Sequence, residues 1–221
     1  MPRSILALLL LAVTAGACTG PRDPTARGID AQPSPLAVEA LRDSLAEAPS
    51  SVEYRAVLAR ALARYGLTPY ADDLRRQPRF QLAESLVVGG FVPGGSPLVR
   101  DELVIVQADA EGPGALALAE TGRVLAERAR WSNRPGRSVQ IVFGASGRLA
   151  PALWPRASIH AVVYVGEGVP AGDAFASGGP AGEATTERIP MDGDAVSTAR
   201  RVLGRVVELA SETFLDRPEA E

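Results

Sequence analysis

The sequence predicts an α/β fold, a three-layer sandwich in which a mostly parallel or mixed central sheet has helices on both faces. Apolar runs of branched residues alternate along the chain with amphipathic segments of helical period. The strand-like runs are apolar at nearly every position, which is typical of strands covered on both faces. With 221 residues the chain can bury the core of one ordinary domain, and its aromatic share of only 5% predicts a core of Ala, Val and Leu.

Two helices begin the predicted domain. The first, Pro35–Ala48, places Leu41 and Leu45 at helical spacing. The second starts near Ser50 or Ser51, either of which can cap it, and ends at Gly66, because glycine commonly ends a helix.

The centre of the chain predicts two buried strands joined by a turn-rich connection. The runs Leu86–Val88 and Leu103–Val106 are short and apolar, and Phe80–Leu86 extends the first of them toward the N-terminus. The connection consists of turn-forming residues, namely Gly89, Gly90, Pro93, Gly94, Gly95 and Pro97.

The second half of the chain continues the alternation. Ala115–Arg130 predicts an amphipathic helix, and Val139–Phe143 and Ile159–Val165 predict buried strands. Residues 166–193 are rich in Gly, Pro and Ala, so we expect a flexible surface loop. The last helix begins at Asp194 or Ser197.

The N-terminus predicts an export signal that ends in a lipid-attachment site. Arg3 precedes the apolar run Ile5–Val13, and small residues then lead to Cys18, the only cysteine. This order is typical of a secretory signal peptide, here residues 1–17. Because Gly16-Ala17-Cys18 resembles the end of a bacterial lipobox, we expect a lipid on Cys18 that anchors the protein to a membrane of the bacterial cell envelope. A plain signal peptide with a chance cysteine is the alternative.

The remaining domain boundaries follow from composition. Residues 18–34 are rich in proline and poor in apolar residues, which predicts a flexible tether that leads to a domain over residues 35–221. The net charge of −3 and the absence of a basic stretch interleaved with aromatics give no support for a nucleic-acid partner.

Several motifs resemble, in the same order, those of the di-zinc aminopeptidases and carboxypeptidases of metallopeptidase family twenty-eight. Leu86-Val87-Val88-Gly89 is similar to that family's "N-V-V-G", and Pro93-Gly94 to its "P-G" turn. The stretch Asp101–Val106 resembles "D-E-x-V-V-V", and Ala108-Asp109-Ala110-Glu111 stands where "A-H-x-D" is expected. Further similarities cover the helix end Leu62–Pro69, the helix Gly114–Ala126, the "P-x-R-S" strand Pro135–Phe143 and the closing helix Arg200–Pro218.

The resemblance implies a zinc-aminopeptidase-like fold, shortened, whose metal ligands are missing. Asp109 takes the place of the first zinc-binding histidine, and Glu111 that of its supporting aspartate. The loop with the bridging aspartate is deleted before Gly114, and no carboxylate follows Gly144 where the catalytic glutamate is expected. His160, the only histidine, lies before the strand that would supply another ligand. We therefore expect no catalytic residue and no cofactor.

Other interpretations of the same residues stay open. Asp109 and Glu111 are weak candidates for a Ca²⁺ or Mg²⁺ site, although solvated loop carboxylates are the simpler interpretation. Ser146 follows a strand, but a serine hydrolase would require His160 as its base. The residues expected to line a cleft are Asp109, Glu111, Ser146, His160 and Glu167.

Three functions are compatible with this pattern. The preferred one is a lipid-anchored domain with a binding or scaffolding role toward a peptide or protein ligand. The first alternative is a zinc-dependent aminopeptidase or other hydrolase with a rebuilt metal site, made from Asp109, Glu111, His160, Glu167 or Asp173. The second is a purely structural envelope lipoprotein without a ligand.

Overall fold

The computed structural model describes residues 28, 30–69, 88–144, 159–166 and 185–211, and these residues form four helices and six strands. The helices are α1 (Pro35–Ala46), α2 (Ser51–Tyr65), α3 (Gly114–Arg130) and α4 (Ala195–Ser211). The strands are β1 (Thr68–Pro69), β2 (Val88–Val92), β3 (Leu103–Asp109), β4 (Ser138–Gly144), β5 (Ile159–Val165) and β6 (Thr185–Ile189).

The six strands form one mixed sheet in the order β1-β2-β4-β3-β5-β6. Strands β4, β3, β5 and β6 are parallel to one another, whereas β1 and β2 pair antiparallel at one side. Helix α3 connects the adjacent parallel strands β3 and β4, which makes a β-α-β unit. The predicted α/β class with a mostly parallel, mixed sheet is confirmed.

Both faces of the sheet are buried. On one face, alternate residues such as Val104 and Val106 join a single apolar core with all four helices. On the other face, Ile105, Val142 and Val162 are also fully buried, as the continuously apolar strands predict. The helix layer predicted for this second face falls outside the described residues. In the described part of the chain, no helix is long and apolar enough to cross a membrane.

The helix ends follow the expected capping chemistry. Ser50 caps α2, since its hydroxyl accepts a hydrogen bond from the Glu53 amide at 3.3 Å, and Gly66 ends the helix with a positive φ of 82°. Asp194 caps α4 through a 2.7 Å bond from the Ser197 amide to Oδ1. The predicted start and end of α2 and the predicted start of α4 are therefore confirmed.

The segment before α1 is packed against α3 and is not free. Ala31 is fully buried, and its carbonyl accepts a 2.9 Å bond from Arg128 Nε. The Ser34 amide donates to the buried carboxylate of Glu120 at 2.6 Å. These contacts place residues 31–34 with the domain, although composition assigned them to the tether. Residues 18–27 lie outside the described residues.

The prediction for the region around Gly90 was wrong in part. Gly89 and Gly90, expected in a turn, lie inside β2, which pairs with β4 over its whole length. A Cβ at Gly90 would lie 2.8 Å from the Leu67 Cβ, so glycine serves close packing here. In addition, β2 and β3 are not neighbours, because β4 lies between them.

Strand β6 corrects the loop predicted over residues 166–193. Thr185, Thr186 and Ile189 are β-branched residues with a preference for strands, and they pair with the edge of β5. Glu187 of this strand forms an ion pair with Arg205 of α4, which holds the strand against the helix. Residues 167–184 of the predicted loop lie outside the described residues.

Candidate functional site at the carboxyl edge of the sheet

The carboxyl edge of the parallel strands is the place where the sequence predicted a cleft. Asp109 ends β3, Gly144 ends β4 beside it, and Val165 ends β5 on the other side. In open α/β sheets, ligands bind outside the carboxyl ends of the strands. The Asp109 side chain is exposed at this edge, and Glu111 follows two residues later.

The connection between β3 and α3 is a closed turn of four residues, 110–113. The Ala110 amide donates to the Gly144 carbonyl at 3.1 Å, and the Gly112 amide donates back to the Asp109 carbonyl at 3.1 Å. A Cβ at Gly114 would lie only 2.3 Å from the Val165 carbonyl oxygen, so α3 begins directly against the end of β5. The connection between β3 and α3 is therefore short, and backbone contacts close it.

Glu111 has a cationic neighbour on α2. Arg55 Nη2 lies 3.9 Å from Glu111 Oε1, and the arginine is the more buried of the two side chains. Burial, and secondly the negative charge of Glu111, raise the pKa of Tyr54 beside it. Glu111 thus sits opposite a fixed positive charge, which would compete with a metal ion for the same carboxylate.

His160 lies at the opposite edge of the sheet. It is the second residue of β5, and its Nδ1 is 3.7 Å from Glu102 Oε2. A strand of seven residues spans about 20 Å, so His160 and Asp109 do not share one cleft. The cleft that was expected to contain both is not formed by the described residues.

A buried ionic cluster at the amino edge was missed by sequence reasoning. Arg137 is 1% exposed; its Nε donates to Glu102 Oε2 at 2.6 Å and its Nη1 donates to the Leu209 carbonyl at 3.1 Å. The Arg137 amide also donates to the Ala210 carbonyl at 2.9 Å. The cluster therefore joins the starts of β3 and β4 to the end of α4.

A sequence signal for this cluster did exist. Glu102 and Arg137 each stand immediately before a strand, and Leu103 pairs with Ser138 in the parallel register. Parallel pairing of β3 and β4 consequently places the two charges side by side. The "D-E" and "P-x-R-S" motifs that carry the family resemblance thus have a structural role in this chain.

The described donor groups at the carboxyl edge do not fit a pair of zinc ions. Zinc in proteins is bound mainly by imidazole, thiolate and carboxylate groups, with at least three protein ligands at catalytic sites. Within the described ranges, no group of three or more His, Cys, Asp or Glu residues could hold a metal ion. Cys18, Ser146, Glu167 and Asp173 lie outside the described residues, as does any site that they form.

Solved structures that are similar to this chain include two with low sequence identity. Aminopeptidase PepT from Bacillus cereus ATCC 10987 superposes with a TM-score of 0.39 at 12% identity, over 58% of this chain and 43% of that protein. LapB from Legionella pneumophila gives a TM-score of 0.34 at 14% identity, over 60% of this chain and 43% of that protein. The chain thus spans less than half the length of either protein. No protein-family model and no curated protein matches the sequence. Similarity at this level assigns no family, and the peptidase resemblance stays a prediction.

Proposed function

We propose that the protein is an exported, lipid-anchored protein of the bacterial cell envelope, whose domain binds or scaffolds a peptide or protein ligand without hydrolysing it. The observation that carries the proposal is the closed turn between β3 and α3. Together with Asp109 at the end of β3, this turn offers two carboxylates and no imidazole at the edge where the family resemblance expects a two-metal site. The chain's only histidine is beside Glu102 at the other edge.

The chemistry of two-metal hydrolysis supports this interpretation. That reaction needs two ions held a few ångströms apart and a general base within hydrogen-bond reach of the metal-bound water. Of the two described carboxylates, Glu111 faces Arg55. Neither a second ligand set nor an additional base accompanies them in the part of the chain that the structure describes. We infer a carboxyl edge suited to binding, with acidic groups that would favour a basic or N-terminal amino group of a peptide.

A peptidase assay tests the catalytic part of the proposal. The mature chain is incubated with aminopeptidase and dipeptidase substrates and with zinc, beside a variant that carries Asp109→Asn and Glu111→Gln. We expect no cleavage above the buffer rate in either protein. Cleavage that is lost in the variant and with a chelator would establish the rebuilt hydrolase instead.

The binding part is tested by isothermal titration calorimetry, in which basic and neutral peptides with free or acetylated N-termini are titrated into the mature chain. We expect binding that weakens in the same double variant, because both carboxylates are removed. Absence of any peptide binding would favour a purely structural role.

The lipid anchor is tested separately in the expressing bacterium. The unmodified chain should partition into the detergent phase and yield an N-terminal lipopeptide by mass spectrometry. Cys18→Ala should remove both signals. An unlipidated wild-type N-terminus would contradict the anchor and leave the peptide-binding test unaffected.

A further inference from the structure

Two exposed apolar side chains lie on adjoining turns at the amino edge of the sheet. Trp131, just after α3, is 59% exposed, and Leu98, just before β3, is 87% exposed. The Gly95 amide donates to the Pro135 carbonyl at 2.8 Å and the Ser96 amide to the Gly136 carbonyl at 3.1 Å, so the two turns are joined.

The turn that carries Trp131 is locally basic, in a chain whose net charge is −3, whereas the turn that carries Leu98 continues into Arg100, Asp101 and Glu102. Residues 128–137 read R-A-R-W-S-N-R-P-G-R, with four arginines and no acidic residue. Arg130 and Arg134 are exposed, whereas the other two arginines are held within the domain. Glu127, which directly precedes this stretch, accepts hydrogen bonds from Arg130 Nη1 and from the Trp131 indole, and Arg130 Nη2 donates to the Tyr65 carbonyl at 2.7 Å. We call Leu98, Arg130, Trp131 and Arg134 the end surface.

The chain enters the domain beside this surface. The Gly28 amide and the Trp131 indole N–H donate to the same Glu127 Oε1, at 3.4 and 3.2 Å. From there, the chain runs back along α3 to Ser34, whose amide bonds to Glu120. Nine residues lie between Cys18 and Gly28, and the ten residue steps that they make span at most about 35 Å in any conformation. An anchor at Cys18 therefore keeps Gly28, which lies beside the end surface, within about 35 Å of the membrane.

We propose that the end surface docks on an anionic membrane surface, with Trp131 in the headgroup region and Arg130 and Arg134 on lipid phosphates. The proposal rests on the lipid anchor proposed above. Tryptophan is enriched at membrane interfaces, and each arginine near an anionic leaflet strengthens binding about fivefold. Because an anchor converts this second contact into an intramolecular one, weak docking suffices. Asp109 at the other end of α3, about 25 Å away, would then face away from the membrane.

Depth-dependent quenching tests the proposal on the mature lipidated protein in vesicles that contain about one-third anionic lipid. Trp154→Phe leaves Trp131 as the only tryptophan of a chain that has two. The matched control combines Trp131→Phe and Trp154→Phe with Val52→Trp, which moves the single tryptophan to α2. Val52 is 72% exposed at the start of this helix, whose Arg55 approaches the carboxyl edge. We expect brominated phospholipids to quench Trp131 at least twice as strongly as the control tryptophan. Equal quenching, or no quenching of Trp131, would overturn the proposal.

A charge variant and an anchor variant complete the test. Arg134→Gln should reduce the quenching of Trp131, whereas Arg60→Gln, at an exposed position on α2, should not. The Cys18→Ala chain, added to the same vesicles, should still bind anionic lipid more strongly than neutral lipid, and lose that preference with Arg134→Gln. A wild-type chain that carries no lipid but keeps the preference would refute the anchor alone, and absence of any preference would refute the docking.

Discussion

Removal of the Arg137 charge is the perturbation that tests the amino-edge cluster. Arg137→Met keeps most of the aliphatic stem but removes the bond to Glu102 and the bond to the Leu209 carbonyl. Breaking a buried ion pair by removing one partner costs about 3–5 kcal/mol, because the other charge stays behind. Since the Glu102 side chain is 19% exposed and can regain some water, we expect a loss near the lower limit, about 3 kcal/mol.

Urea unfolding followed by circular dichroism measures this loss. For a chain of this size, about 3 kcal/mol corresponds to a fall in Tm of about 6–12 °C. Asp192→Asn is the control, because it breaks an ion pair with Arg201 whose side chains are 65% and 39% exposed, and such pairs contribute at most about 1 kcal/mol. Adding Glu102→Leu to Arg137→Met should recover part of the stability, because neither charge then remains alone. Equal losses for Arg137→Met and Asp192→Asn would refute the assignment of the cluster as a structural clamp.

Three further predictions address other contacts. Gly114→Ala should lower the free energy of unfolding by about 1–3 kcal/mol, because the added Cβ would meet the Val165 carbonyl oxygen, a backbone atom, at 2.3 Å. Gly204→Ala, where the added Cβ meets nothing within 4 Å, should instead raise it by about 0.5–1 kcal/mol in the same urea assay. Glu120→Gln should cost about 2–3 kcal/mol, because the buried carboxylate accepts charge-assisted bonds from Arg123 and from the segment before α1, and limited proteolysis should then cut that segment faster; unchanged cleavage would argue against its docking. Burial raises the pKa of Tyr164 above its ordinary 10.0, so the neutral phenol is favoured in the folded state. This preference stabilises the fold below pH 10, and the stabilisation is lost as the pH rises above 10. Tyr164→Phe should therefore flatten the decline of the urea midpoint between pH 8 and 11.

The regular elements could be predicted because their signals are local. Apolar period, a serine cap and a terminal glycine defined α2 from Ser51 to Tyr65, and the continuous apolar run Ile159–Val165 is β5. Strand β6 could not be found in this way, because its five residues are mostly polar and exposed and become a strand only through pairing with β5. Gly90 was misjudged for a related reason: a glycine in a turn and a glycine under a close-packed leucine look the same in sequence.

The candidate site could be predicted only in part. The place of Asp109 at a strand end and the short connection before Gly114 followed from motif order. The partner of Glu111, Arg55, comes from a distant helix, and no local pattern indicates that contact. The separation of His160 from Asp109 also depends on strand direction, since a residue near the start of a parallel strand lies at the edge opposite to the ligand-binding ends. Long-range pairing, which sequence periodicity does not specify, decides these points.

The zinc content of the purified chain distinguishes a non-catalytic binding domain from a metallohydrolase. The mature chain is loaded with excess zinc, desalted and analysed by elemental mass spectrometry, beside the variant with Asp109→Asn and Glu111→Gln. We expect well under about 0.1 zinc ion per chain in both proteins, because the carboxyl edge offers no imidazole and Glu111 faces an arginine. One or two zinc ions per chain that are lost in the variant would contradict the non-catalytic binding role and establish a metal site at this edge of the sheet.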